Sequence, residues 1–149
     1  MYVLWSFAPL IHQIMGSEQM VAFYVTGGCI SSLASHYFKV ASRVGSPSVG
    51  ASGALLAVLG ACCISRPDAQ LQIVFLPMVT FSAQTALVGI IVLDVCGLLF
   101  RWRMLDHAAH LGGALFGCWY ATYGHKYTWD QRAPLVRKWH EFRKSMDDE

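Results

Sequence analysis

Long apolar runs alternate with short polar breaks along this chain. The first run, 1–14, is predicted to break at Pro9, and it falls short of the roughly 20 residues that a bilayer-crossing helix needs. Gly16-Ser17-Glu18 reads as a turn and helix start with Ser17 as N-cap, and a span follows over 19–38, ending at Lys39. Its small residues Gly27, Gly28, Ser31, Ser32 and Ser35 recur at three- and four-residue spacing, which lets helices approach closely in lipid. Arg43, Gly45 and Pro47 punctuate a loop over 39–49. A short run over 52–65 is stopped by Arg66-Pro67-Asp68, so the helix is expected to begin below the membrane surface, with Ser52 recessed in a water-filled cavity. The run over 70–100 is too long for one straight helix. Pro77 splits it into an interfacial or re-entrant piece and a span over 83–100. Arg101-Trp102-Arg103 marks an interface, and a last span covers 107–123.

These elements predict an all-α fold, a polytopic transmembrane helix bundle. It has about four full spans, an N-terminal helix remnant and a re-entrant or interfacial segment. Two regions are expected: a transmembrane domain over 1–124 and a polar, partly amphipathic tail over 125–149. In the tail, Leu135, Val136, Trp139 and Phe142 share one helical face between basic residues, a pattern suited either to a membrane surface or to solvent.

Composition supports the membrane reading. The chain is 55% hydrophobic but only 13% charged, against about a quarter charged in soluble domains. Six of its eleven Lys and Arg follow residue 125. The net charge of +2, with no basic patch interleaved with aromatics, excludes a nucleic-acid partner. Cys29, Cys62, Cys63, Cys96 and Cys118 lie in apolar segments without metal or disulfide spacing and read as small buried hydrophobes. The first residues lack the basic region of a signal peptide. The chain opens inside an apolar run, as though partway through an element.

Two short motifs carry candidate chemistry. Gly50-Ala51-Ser52-Gly53 places a serine at a helix start, where unpaired N–H groups and the positive dipole end can meet a developing oxyanion. A lone Gly-x-Ser-Gly is weak evidence. His110, within Ala109-His110-Leu111-Gly112-Gly113-Ala114-Leu115-Phe116-Gly117, is costly in a membrane segment unless it has a partner or water. Gly113 and Gly117 let its helix approach the equally small-residue helix that follows Ser52. Two crossings separate the two residues, which returns them to the same membrane face. A Ser52–His110 pair is therefore expected as nucleophile and base, oriented by packing, because no third carboxylate is obviously placed. Asp94, in mid-span, should face a cavity or a hydrogen-bond partner, in a structural role or one that tunes the site. His107 is expected at the interface. Asp106, His107 and His110 lack further ligands at suitable spacing, so no metal and no cofactor is expected.

This combination resembles the rhomboid family of intramembrane serine proteases, through Gly50-Ala51-Ser52-Gly53 and Ala109-His110-x-x-Gly113-x-x-x-Gly117. Phe75-Leu76-Pro77-Met78 and Asp106-His107-Ala108-Ala109-His110-Leu111-Gly112-Gly113 place it nearest a mitochondrial branch of that family. The resemblance implies a partial rhomboid core in the mitochondrial inner membrane. It implies that Ser52 attacks the substrate carbonyl, that His110 is general base and then acid, and that the Ser52 backbone N–H serves the oxyanion hole. Gly50, Gly53, Gly113 and Gly117 would support the site, and the 83–100 span would line a lateral gate. The implied partners are the lipid bilayer and single-span transmembrane substrates. Two departures stand out. Rhomboids place a His-x-x-x-Asn pair on an earlier helix, which is expected upstream of Met1 here. Many bacterial members carry a Tyr one turn after the serine, where this chain has Leu56. A protease, inactive if this is only a fragment, and a pseudoprotease that holds transmembrane helices without cutting them are both expected readings.

Overall fold

The computed structural model describes residues 2–43, 51–73, 76–102 and 105–147. Seven α-helices and one hairpin follow in chain order: α1 (Tyr2–Met15), α2 (Ser17–Ser42), α3 (Ser52–Ser65), β1 (Gln70–Ile73), β2 (Leu76–Ser82), α4 (Ala83–Leu99), α5 (His107–Trp119), α6 (His125–Thr128) and α7 (Ala133–Asp147). A π-helical turn, Tyr120–Gly124, joins α5 to α6, and a 3-10 turn, Asp130–Arg132, precedes α7.

The most extensive contact is between α3 and α5, with α2 packed on both. Glycine explains how close α3 and α5 come. A Cβ on Gly113 would collide with the carbonyl of Gly53, and one on Gly117 with that of Ala57. Both contacts advance one turn together, so α3 and α5 run parallel, as two intervening reversals require. Antiparallel α2 closes the trio: Gly27 faces Ala57, and Gly112 faces Ala34. Toward the far end the seam widens into an apolar core of Ile11, Phe23, Val58, Phe116 and Tyr120, whose rings meet at centroid separations of 4.9–5.8 Å, Phe23 stacked on Phe116 and Tyr120 tilted against both. Gln19 Nε2 donates to Tyr120 Oη across this core at 2.9 Å. Between buried groups such a bond is costly to leave unmade.

Several sequence expectations change. α1 runs helically through Pro9, since an apolar helix with packed neighbours tolerates the one hydrogen bond that proline removes. Gly16, at φ +78°, is the N-cap of α2, and Ser17 instead lies 2.8 Å from His12 Nε2 through its hydroxyl. The piece expected to be interfacial or re-entrant forms an antiparallel hairpin, pairing Gln70 with Ser82 and Gln72 with Thr80. The polar–apolar alternation of Gln70-Leu71-Gln72-Ile73 suits a strand, and a two-stranded hairpin has the edge positions that proline accepts. The fold is mostly helical, consistent with the expected all-α class, and carries one two-stranded hairpin. Among the described residues no helix is long and apolar enough to cross a membrane. α3, at 14 residues, is about 21 Å long.

Candidate active site

The site end of α5 is fixed before the helix begins. Asp106 Oδ1 accepts from Ala109 N–H at 3.1 Å as a side-chain cap, and Oδ2 accepts from Ser35 Oγ at 2.6 Å and Lys39 Nζ at 2.8 Å. One carboxylate thus satisfies an orphan amide of α5 and ties that helix start to the end of α2. The first turn, which carries His107 and His110, is held from two sides.

α3 starts at Ser52 after Ala51, which offers no side-chain cap. The first-turn amides, without intrahelical partners, are left at the same end as the serine hydroxyl. Gly53 faces inward against Ser31 and Ala109, and Ser52 is left exposed at the mouth of the helix.

Ser52 Oγ lies 3.1 Å from His110 Nε2. The other ring nitrogen, His110 Nδ1, lies 3.3 Å from Asp94 Oδ1, and the same oxygen lies 2.8 Å from His107 Nδ1. Asp94 is 1% exposed, the His107 side chain 3% and the His110 side chain 13%. Asp94 Oδ2 has no hydrogen-bond partner among the described residues. The His107 and His110 rings meet edge-on at 6.4 Å, and Trp102 stands 6.1 Å beyond His107.

The structure brings together Ser52 and His110, the pair expected from sequence, and places Gly53, Gly113 and Gly117 on the seam that holds them. Gly50 lies outside the described residues. Two expectations are corrected. His107 is buried on Asp94, not at an interface, because an imidazole beside a buried carboxylate gains a partner that an apolar boundary cannot offer. A third carboxylate is also placed, on α4. Leu56, one turn after the serine, packs against the apolar cluster of Leu59, Cys63, Ala83 and Leu87, and the ring beside His110 is His107. Asp94 was legible as a costly mid-span charge. The packing of α4 on α5 brings it to His110, Asp94 lying five residues before the end of α4 and His110 in the first turn of α5.

Chemically, the arrangement offers a hydroxyl, a base in contact with it, and a carboxylate behind the base. Asp94, His107 and His110 also offer one ligand atom each within 4.8 Å of one another, enough for three protein ligands of a metal ion.

A family model described as "Rhomboid domain" matches residues 1–127. The human "Presenilin-associated rhomboid-like protein, mitochondrial" is 53% identical over 143 residues, which cover 96% of this chain and 38% of that protein. "Rhomboid protein 1, mitochondrial" of Saccharomyces cerevisiae is 33% identical over 89% of this chain and 38% of its own length. "Rhomboid protease GluP" of Bacillus subtilis is 30% identical over 76% of this chain and 20% of its own. The chain therefore spans under two-fifths of the length of these relatives. No solved structure matches it.

Proposed function

The chain belongs to the rhomboid family, and on that premise we propose that it carries the nucleophile and base of an intramembrane serine endopeptidase. The observation that carries this reading is the 3.1 Å separation of Ser52 Oγ and His110 Nε2, within the reach a nucleophile needs from its base. Ser52 Oγ attacks a peptide carbonyl of a transmembrane substrate while His110 Nε2 takes its proton. The tetrahedral oxyanion is met by the Ser52 backbone N–H and by further donors. His110 then gives the proton to the leaving amine, and the C–N bond breaks. Water, deprotonated by the same nitrogen, releases the acyl group from Ser52.

The resemblance to mitochondrial rhomboid proteins supports a mitochondrial membrane location. We place 1–124 in the bilayer and 125–149 as a polar tail, with single-span membrane proteins as substrates and no nucleic acid as partner. The outward faces of α2 and α4, with Val21, Val25 and Leu33 on one and Val88, Val92 and Leu99 on the other, are exposed and apolar. That suits lipid or a client helix better than water.

The test is cleavage of a single-span substrate by the full-length protein in liposomes. Two products are expected with the wild type and none with Ser52→Ala. The exposed apolar face of α4 favours a second reading, a pseudoprotease that holds client helices. It predicts that wild type and Ser52→Ala retain a co-reconstituted client equally and that neither cuts it.

A further inference from the structure

Asp94 is a buried carboxylate with only one of its oxygens hydrogen-bonded among the described residues. It sits in the middle of an apolar helix, 1% exposed, with one oxygen on two imidazoles and the other without a partner among the described residues. A buried carboxylate is expensive unless it is hydrogen-bonded, so the position of its two contacts matters. Both are Nδ1 atoms, and both rings come from the first turn of α5. An ionised carboxylate only accepts. It therefore selects the Nδ1–H form of each histidine, and in His110 that form leaves Nε2 with its lone pair free toward Ser52 Oγ.

From this geometry we infer that Asp94 is a positioning residue for His110, converting the Ser52–His110 pair into a Ser52–His110–Asp94 relay, with His107 anchoring the carboxylate. The inference deepens the proposed function and rests on it for its catalytic meaning. A Cβ on Gly97 would strike the His107 ring, so glycine there lets the ring sit against α4. His107 Nδ1–H donates to Asp94 Oδ1 over the shorter distance, 2.8 Å, and fixes that oxygen. His110 Nδ1–H donates to the same oxygen at 3.3 Å, and Ser52 O–H donates to His110 Nε2 at 3.1 Å. When His110 takes the serine proton, the resulting imidazolium lies against a carboxylate in a water-poor site. In such a site that contact is worth more than in solvent. Asp94 takes no proton; it holds the ring and stabilises its charge.

The test uses the full-length protein in detergent micelles, with a fluorophosphonate probe, a single-span substrate and ¹⁵N NMR of the histidine rings. Wild-type His110 is expected as the Nδ1–H tautomer. Asp94→Asn, whose amide can donate to Nδ1, should shift it toward Nε2–H and lower kcat and the labelling rate by at least about 10²-fold, leaving KM unchanged. Asp94→Glu should recover part of the loss. The inference is overturned if Asp94→Asn labels within about threefold of wild type, or if wild-type His110 is already Nε2–H. It is equally overturned if labelling disappears on dialysis against a chelator, which would assign the three side chains to a metal. Should Asp94→Asn fail to fold, the wild-type tautomer alone decides. A wild type that never labels sinks the protease reading, while the NMR arm still judges the positioning of His110.

Discussion

At its start, α5 is held by charge and hydrogen bonds. Asp106 joins Lys39 and Ser35, and Asp94 joins His107 and His110, with Ser52 at the end of the series. About three turns later, at the end of α5 and in the π-helical turn that follows it, the chain is held by rings: Phe116 stacks on Phe23 and Tyr120 tilts against it, beside Ile11 and Val58. Between them lies a stretch where glycine removes the side chains and the backbones of α3 and α5 touch. The aromatic end makes α5 stable, the glycine seam sets its distance from α3, and the polar end uses that distance. Stability and reactivity should therefore separate along one helix, and substitutions at the two ends should fail differently.

The largest effect is expected at the polar end. Ser52→Ala or His110→Ala should cut the rate of serine-directed labelling or substrate cleavage by at least about 10³-fold, with thermal unfolding in detergent little changed. A matching fall in unfolding temperature would mean that these side chains hold the fold and would erase the contrast. At the aromatic end, Phe23→Ala should cost about 3–5 kcal/mol, read as a lowered unfolding midpoint, while the surviving folded fraction labels at the wild-type rate per molecule. On the seam, Gly117→Ala should cost about 1–3 kcal/mol, because its Cβ meets the Ala57 carbonyl, a backbone atom that cannot swing aside. Gly89→Ala meets nothing within 4 Å and should gain up to about 1 kcal/mol. If the two alanines behave alike, the close approach of α3 and α5 is not what the seam depends on. Tyr120→Phe leaves the Gln19 amide unpaired. A loss of about 1–3 kcal/mol is expected with labelling unchanged.

The sequence made some of this legible and hid the rest, for physical reasons. Ser52 opening a short helix, and Gly113 and Gly117 following His110, are local patterns, and they pointed to a close helix pair. Span parity carried the argument across nearly sixty residues, and α3 and α5 do run parallel. Ser17 was misread because either a glycine or a serine can sit at the cap, and only the backbone dihedral of Gly16 decides between them. The hairpin was missed because an apolar run containing Pro77 fits a broken helix as readily as an edge strand. Asp94 was seen as costly but not connected, since its partners lie one helix away. His107 was given to the interface for the same reason: a histidine reveals nothing of its neighbour until the packing is known. The exposure of Ser52 depended on which face of the first turn carried Gly53.

The most direct test of the central claim is to treat the full-length protein with a fluorophosphonate and locate the adduct by mass spectrometry of its peptides. The account predicts one stoichiometric adduct on Ser52, absent in Ser52→Ala and strongly slowed in His110→Ala. An adduct on another serine, or labelling of Ser52 at the same rate without His110, would contradict it.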